Sequence, residues 1–115
     1  MLNQHAPLDR LFHALADQTR RDIVERLCDG PASVSTLAAP LAMTLHSVMQ
    51  HLQVLGDSGL VRSEKLGRVR TYHIEPDVLN SAGHWINARK IMWESRLDKL
   101  GDYLNEQVSN PGSKT

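Results

Sequence analysis

The stretch TLHSVMQHLQVLGDSGLV, residues 44–61, carries the strongest structural signal in the chain. Its apolar residues recur at spacings of 3, 4 and 3, the period of one buried helix face. These residues are Leu45, Val48, Leu52 and Leu55. Thr44 is a favourable N-cap, and Gly59 stands where the end of a helix favours a left-handed residue. The sequence therefore predicts a helix over residues 44–58 that packs through this face.

The other face of the predicted helix is polar and carries no acidic residue. It presents His46, Ser47, Gln50 and Gln53, whereas a merely solvated helix more usually carries Glu and Lys. Gln can pair bidentately with adenine, and Ser can bond to any base edge. An ordinary amphipathic core helix with a polar outer face would explain the same pattern. The polar face alone does not distinguish a DNA-binding helix from a plain core helix, so the neighbouring segments must be considered.

Three shorter helices are predicted before this one. Apolar residues within 8–15 mark the first, and Asp17 is a good N-cap for the second, which Gly30-Pro31 ends. Ser35 is expected to cap a short third helix, whose length Pro40 limits. The third helix and the tight turn that follows it would brace the helix 44–58.

A basic hairpin follows, in LVRSEKLGRVRTYHI, residues 60–74. Two β-prone arms flank KLGR, and Gly67 is free to take the positive φ of a tight turn. Four basic residues, Arg62, Lys65, Arg68 and Arg70, face only Glu64, which leaves a local excess of three positive charges. Such side chains neutralise DNA phosphates and release counterions. They also guard exposed strand edges against aggregation, so a solvated hairpin edge is the competing interpretation.

Helical periodicity returns from Asp77 to about Val108. The apolar residues of this segment are more numerous than a three-helix core of this size can cover. We interpret them as a homodimer interface, and completion of the monomer's own core is the alternative. The predicted interface residues are Trp85, Ile86, Met92, Trp93, Leu97, Leu100 and Leu104. Two-fold symmetry would place the two reading helices about one DNA turn, roughly 34 Å, apart.

This order of elements predicts a mainly α fold with a small β-hairpin (α+β), a winged helix-turn-helix with five helices and a two-stranded wing. The sequence resembles the ArsR/SmtB family of bacterial winged-helix repressors over roughly residues 8–105. The resemblance rests on LFHALADQTRRDIVERL followed by SVSTLAAPLAMTLHSVMQHLQVLGDSGLVRSEKLGRVRTYHI. It implies a homodimer that represses transcription by covering a palindromic operator and that an inducer, a small molecule of unknown identity, releases. The segment WINARKIMWESRLDKLGDYL resembles the branch without the metal-sensing motif.

The expected partners are thus double-stranded operator DNA and a second copy of the chain. The expected DNA contacts are His46, Ser47, Met49, Gln50, His51 and Gln53 on the helix, and Arg62, Lys65, Arg68 and Arg70 on the wing. Met49 and Gln50 depart from the family pattern, which often has Ser and then a basic or polar residue. The missing charge shifts phosphate binding towards the wing.

Two further positions have open roles. His51 can contact a phosphate or close a local hydrogen-bond network. Arg20 or Arg21 can touch a DNA phosphate, but an ion pair with an acid such as Asp17 or Glu25 is the favoured interpretation. The competing function for the whole chain is a winged-helix protein–protein interaction module. It would require an apolar outer face on the helix 44–58, of which Met49 and Val54 give only a hint.

No catalytic, cofactor or metal site is expected. The third helix has no thiol, and the six histidines show no i, i+4 pairing that could bind a metal. The single cysteine, Cys28, is interpreted as inert buried packing. There is no Gly-rich phosphate loop and no plausible pair of carboxylates, which argues against an enzyme.

The 115 residues suffice for one compact domain. We expect an N-terminal arm over 1–7, a single domain over 8–108 with its dimerisation helix at about 77–108, and a flexible tail over 109–115. Basic and acidic residues are equal in number, 13 of each, so only the local distribution of charge can attract DNA. No apolar run is long enough to span a membrane and the start lacks a secretory pattern, so a cytoplasmic location is expected.

Overall fold

The computed structural model describes residues 6–109, which form five helices and a three-stranded sheet. The helices are α1 (Ala6–Leu15), α2 (Gln18–Cys28), α3 (Val34–Ala38), α4 (Leu45–Asp57) and α5 (Pro76–Ser109). The strands are β1 (Ala32–Ser33), β2 (Val61–Leu66) and β3 (Val69–Ile74). The expected arm over 1–7 and tail over 109–115 fall largely outside the described residues.

Both ends of α4 follow from local chemistry. Thr44 Oγ1 accepts the backbone N–H of Ser47 at 3.1 Å, which satisfies a donor that the first turn leaves unpaired. At the other end, Gly59 has a φ of 81°, and the N–H of Leu60 donates to the carbonyl of Leu55 at 3.1 Å. This is the Schellman arrangement, in which a left-handed glycine lets the chain turn back over the last carbonyls. The predicted helix and both of its caps are confirmed.

The core confirms three of the four predicted contacts of α4 and corrects the fourth. Val48, Leu52 and Leu55 are buried among residues from the preceding helices and the sheet. Leu45 was expected to join them, but it is 53% exposed. It occupies the first turn of the helix, where the neighbouring elements do not cover it. Periodicity identifies a face of a helix but cannot show how far along that face the rest of the protein extends.

The sheet has the order β1-β3-β2 and is antiparallel throughout. The hairpin of β2 and β3 was predicted, whereas β1 was missed because two residues are too short to show a period of two. The hairpin turns through Gly67 and Arg68 alone. Gly67 has a φ of 64°, and no non-glycine residue in the described range has a positive φ. A positive φ at only the first turn position is the requirement of a type II′ turn, for which glycine is the preferred residue.

Two other sequence-based assignments were wrong. Ser33, not Ser35, caps α3, since its hydroxyl accepts the N–H of Thr36 at 3.2 Å. The helix begins at Val34, directly after β1 ends at Ser33, which is two residues earlier than expected. Cys28 is exposed rather than buried. It follows the buried Leu27 by one residue, and a rotation of about 100° carries it off the packed side of α2.

By their internal contacts, the residues form two units, one up to Ala82 and one from Gly83 onwards. The first unit contains α1 to α4, the sheet and the start of α5, together with the hydrophobic core. The second unit contains the remainder of α5. No helix within residues 6–109 is both long and apolar enough to cross a membrane.

The burial of α4 can be tested with two leucines of the same helix. Leu55→Ala should lower the free energy of unfolding by about 2–5 kcal/mol, because a fully buried side chain leaves a cavity when it is truncated. Leu45→Ala should cost less than about 0.5 kcal/mol, as expected for an exposed side chain. Urea unfolding followed by circular dichroism at one protein concentration measures both. Equal losses would contradict the position described for Leu45.

Candidate nucleic-acid interface

The exposed side of α4 presents a small set of unengaged side chains. His46 and Gln50 are exposed, and neither side chain has a hydrogen-bond partner among the described residues. Met49 is also exposed and lies between them along the helix. These three positions are opposite the buried Val48 and Leu52, so the core leaves this side of the helix facing outwards.

Two other predicted contact residues are partly occupied by local hydrogen bonds. The hydroxyl of Thr44 donates to Ser47 Oγ at 3.1 Å, which ties Ser47 into the N-cap of α4. Gln53 Nε2 donates to Asp57 Oδ1 at 2.9 Å, one turn further along the helix. Ser47 keeps its hydroxyl proton and Gln53 keeps its carbonyl oxygen for another partner.

His51 belongs to a network that joins α4 to the junction of α1 and α2. Arg20 Nη1 lies 3.3 Å from His51 Nδ1, and Arg20 Nε donates to the carbonyl of Ala14 at 2.7 Å. Arg20 Nη2 donates to the carbonyl of His13 at 3.1 Å. A guanidinium can only donate, so in this contact Arg20 is the donor and His51 Nδ1 the acceptor. Of the two roles open to His51, the local network is the one the structure shows; we call it the Arg20 brace.

The expected ion pair of Arg20 with Asp17 or Glu25 is not formed, because its guanidinium binds backbone carbonyls. Asp17 instead caps α2 by accepting the backbone N–H of Arg20 at 3.1 Å. This hydrogen bond lowers the pKa of the Asp17 carboxyl below its usual value. Partial desolvation opposes the shift, while electrostatic interactions with Arg20 and His51 act in the same direction as the hydrogen bond.

The register of the wing separates its side chains into two faces. The outer face consists of Arg62, Glu64, Leu66, Val69, Thr71 and His73, and the inner face of Val61, Ser63, Lys65, Arg70, Tyr72 and Ile74. On the outer face, Arg62 Nε lies 2.6 Å from Glu75 Oε1, and Arg62 Nη1 lies 3.9 Å from Glu64. His73 Nε2 is 3.5 Å from the same Glu64 carboxylate. The charges of the outer face thus largely neutralise one another.

The inner face carries basic side chains that form no ion pair with the described residues. Lys65 lies directly opposite Arg70 across the hairpin. Arg70 Nη1 donates to Ser63 Oγ at 2.8 Å, but no carboxylate of the described residues lies within 4 Å of Lys65, Arg68 or Arg70. Like charges directly opposite each other destabilise a hairpin. The pair costs folding energy and would be stabilised by a polyanion.

A cleft lies between the inner face of the wing and α4, and residues of both elements line it. Its volume is about 340 Å³. It is lined by Met49, Leu52, Gln53 and Gly56 of α4 and by Val61, Ser63, Arg70 and Tyr72 of the sheet. Met49 and Gln53 of α4 and Arg70 of the wing therefore line the same cleft.

Sequence reasoning missed one residue of this surface, Leu45. Its side chain is exposed one turn before Met49, so the two form an apolar pair beside His46 and Gln50. Apolar side chains can contact the methyl group of thymine. The sequence contained a signal for this exposure, because Leu45 directly follows the N-cap and so lies at the very end of the apolar face of α4. Within residues 6–109, no three His, Cys, Asp or Glu side chains come together as metal ligands would.

Comparison with known proteins agrees with this arrangement. The family model described as a helix-turn-helix domain matches residues 15–64. The HTH-type transcriptional regulator Rv2034 of Mycobacterium tuberculosis is 47% identical over 68 residues, which are 59% of this chain and 64% of Rv2034. The match thus spans less than two thirds of that relative. The uncharacterized HTH-type transcriptional regulator YuzN of Bacillus subtilis is 33% identical over 87 residues, 68% of this chain and 94% of YuzN.

A crystal structure of an ArsR family transcriptional regulator, RHA00566, has 44% sequence identity and a TM-score of 0.75. The alignment covers 83% of this chain and 98% of RHA00566. The chain belongs to the ArsR family. Its fold is accordingly the winged helix-turn-helix of that family. The predicted family and fold class are confirmed for this ArsR-family protein.

The N-cap of α2 in this ArsR-family protein makes a pH-dependent contribution to stability. Asp17→Ala should lower the free energy of unfolding by about 1 kcal/mol at neutral pH, the usual effect of losing a cap. Because folding lowers the pKa of Asp17, its contribution is fully present above the unfolded value of about 3.9 and is lost as the pH falls through the folded value. The difference between wild type and variant should therefore shrink below about pH 4, as measured by urea unfolding.

Asp17→Asn is the matched control, since it retains an oxygen that accepts the N–H of Arg20 but does not titrate. It should be less destabilising than Asp17→Ala at neutral pH. A gap between wild type and Asp17→Ala that stays constant down to pH 2 would rule out the cap as its source.

Proposed function

We propose that this ArsR-family protein is a homodimeric repressor that binds a palindromic operator through α4 and the inner face of the wing. The proposal rests mainly on Lys65 and Arg70, which lie opposite each other with no carboxylate partner among the described residues. Arg70 also lines the cleft beside α4. A polyanion lying along this surface would relieve the repulsion between the two cations. The protein would act in the cytoplasm, where bacterial DNA is accessible, and a small-molecule inducer would release it.

The open side of α4 suits the major groove of DNA. His46 and Gln50 can bond to base edges, and the exposed Leu45 and Met49 can pack against thymine methyl groups. Thr44 accepts the N–H of Ser47, and the remaining N–H groups of the first turn, with no acidic residue beside them, are available to a phosphate. We propose that Gln50 contributes most to base preference, because it is exposed and its amide has no partner among the described residues.

The wing suits the DNA backbone. Lys65, Arg68 and Arg70 are exposed and unpaired, so binding a phosphate would not require them to break an ion pair. Arg62 was predicted in the same role, but it is held by Glu75 and Glu64 on the outer face. We therefore propose that Arg62 stabilises the wing through these ion pairs, and that Lys65, Arg68 and Arg70 contact the phosphates.

The alternative, a winged-helix protein–protein interaction module, has less support. It would require a continuous apolar surface on the open side of α4. Leu45 and Met49 are exposed there, but His46 and Gln50 interrupt them. An apolar partner would also give no role to the unpaired cations of the wing.

The proposed dimer rests on the part of α5 after residue 82. Its apolar residues recur at helical spacing and are exposed in the single chain, which is a costly arrangement without a partner. They include Trp85, Ile86, Met92, Trp93, Leu97, Leu100, Tyr103 and Leu104. The guanidinium carbon of Arg89 lies 4.5 Å from the centroid of the Trp85 ring, a cation–π contact. A two-fold dimer would present two copies of α4 to successive major grooves.

Removal of one wing cation tests the backbone contacts. Lys65→Gln should weaken binding to all duplexes by a similar factor, because phosphates carry no sequence information. It should also lower the slope of log K against log salt by about 0.9 per subunit. Fluorescence anisotropy with DNA from upstream of the protein's own gene, at several salt concentrations, gives both values. Arg62→Gln removes the same charge from the outer face and should leave the slope unchanged; equal effects would refute this assignment.

A charge placed on α5 tests the dimer. Leu97→Glu should convert the dimer to monomer in sedimentation velocity experiments, because a carboxylate would be buried without a partner. The monomer should also bind a two-site operator at least tenfold more weakly, since it loses the second contact. Ser95→Glu adds the same charge on the polar side of α5 and should remain dimeric. A monomeric wild-type protein, or two dimeric variants, would be incompatible with the proposal.

A further inference from the structure

We propose that Arg20 and His51 are positioning residues for DNA recognition: they do not touch DNA, but they fix the rotation of α4 at which Gln50 meets the base edges. This inference rests on the proposed function and deepens it, because it concerns how the reading helix is oriented rather than which groups it contacts. Substitutions behind α4 should therefore change the preference among DNA sequences.

The end of α1 holds the Arg20 guanidinium in place. Arg20 Nε donates to the carbonyl of Ala14 at 2.7 Å, and Nη2 donates to the carbonyl of His13 at 3.1 Å. Both carbonyls lie in the last turn of α1, where a helix leaves carbonyls without partners of its own and its dipole attracts a cation. Because the guanidinium is planar and rigid, two bound nitrogens also fix the direction of the third. Nη1 thus presents a donor at a defined position beside α4.

His51 is the residue of α4 that meets this donor. Its Nδ1 lies 3.3 Å from Arg20 Nη1 and 3.8 Å from Asp17 Oδ2, at the start of α2. Only 23% of its side chain is exposed. Gln50 precedes it in the chain, so it projects about 100° away around the helix, and it is exposed. One rotation of α4 therefore determines the positions of both side chains.

A small rotation of α4 is enough to disturb recognition. Side chains extend to about 5–6 Å from a helix axis, so a rotation of about 20° displaces their ends by about 2 Å. A hydrogen bond does not survive such a displacement, because N–H···O lengths lie within roughly 2.7–3.2 Å. Apolar burial restrains the rotation less closely, since its attraction is non-directional. The contact between Arg20 and His51 supplies the directional restraint that Gln50 needs.

The surroundings of Arg20 argue against a direct contact with a DNA phosphate. Its Nε, Nη1 and Nη2 all have partners within the protein, and the residue is half-buried. The neighbouring Arg21 is exposed and donates to the carbonyl of Leu15 at 2.8 Å and to the side chain of Gln18 at 3.5 Å. Both arginines thus tie α2 to the end of α1, but of the two it is Arg20 that also contacts α4. Arg21 therefore provides a matched control.

Arg20→Gln tests the positioning role with two duplexes of equal length, one from upstream of the protein's own gene and one of unrelated sequence. Binding to the first should weaken about tenfold, as when a base contact is lost, and binding to the second by less than about twofold. The slope of log K against log salt should not change, because no phosphate contact is lost. Arg21→Gln should leave the preference, the ratio of the two affinities, unchanged. Fluorescence anisotropy at several salt concentrations measures these quantities.

Two substitutions of His51 separate positioning from folding. His51→Asn retains an acceptor bonded to Cγ, as Nδ1 is, so its preference should stay within about twofold of wild type. His51→Leu removes the acceptor and should lower the preference about tenfold, as Arg20→Gln does. The two changes together should lower it no further, because residues that act as one unit are not additive. Circular dichroism and urea unfolding confirm that each variant is folded.

Gln50→Ala connects the two residues to the reading side of α4. In the wild-type background it should lower the preference. In the His51→Leu background it should change the preference by less than about twofold, because Gln50 is then already displaced from its base. Equal effects of Gln50→Ala in both backgrounds would show that His51 does not act through Gln50 and would overturn the inference.

Other results would overturn the inference and leave the DNA-binding function standing. A lower salt slope in Arg20→Gln, with both duplexes weakened alike, would assign Arg20 to a phosphate contact. An unchanged preference in Arg20→Gln and His51→Leu would show that the core alone orients α4. Loss of the preference in His51→Asn would exclude the acceptor at Nδ1 as its cause. A wild-type protein that binds neither duplex would overturn the proposed function itself, and this inference with it.

Discussion

The recognition surface depends on the burial of one side of α4. Val48, Leu52 and Leu55 are almost completely removed from solvent, and burial of each such side chain contributes about 1.5–3 kcal/mol. Rotating the helix to cover His46 or Gln50 would expose these residues and bury polar groups without partners. The core therefore holds the polar side of α4 outwards, even though no contact on that side requires it.

Hydrophobic burial decides which side of α4 faces the core, but because it is non-directional it constrains the exact tilt and position of the helix less closely. The Arg20 brace supplies a directional contact, because three nitrogens of one guanidinium contact two carbonyls at the end of α1 and a ring nitrogen on α4. Charge-assisted hydrogen bonds of this kind are stronger and more specific in geometry than neutral ones. At the other end of α4, the buried Leu60 and Val61 hold the start of the wing close to the helix.

The wing shows how a chain with zero net charge can present a basic surface. Alternation along β2 and β3 places Arg62 with carboxylates on the outer face and leaves Lys65 and Arg70 unpaired on the inner face. Charges separated by more than about 8 Å are largely screened at physiological salt. A DNA strand beside the inner face would thus respond to the local cations rather than to the balance of the whole chain.

The elements that the sequence alone determined are those whose causes lie within a few residues. The caps Asp17 and Thr44, the left-handed Gly59 and the turn glycine Gly67 act through neighbouring backbone groups, so their residue types identified them. The period of α4 is also local, and with these signals it was enough to predict the winged helix-turn-helix and the approximate position of its reading helix.

Only the tertiary structure decided what depends on neighbours that are distant in sequence. The exposure of Leu45, the pairing of β1 with β3, the backbone partners of Arg20 and the neutralisation of Arg62 each depend on another element. Periodicity assigns a residue to a face of a helix or strand, but the packing of the other elements determines whether that face is covered and which of its charges find a partner. For the same physical reason, the sequence did not reveal that Ser47, His51, Gln53 and Arg62 have partners within the protein.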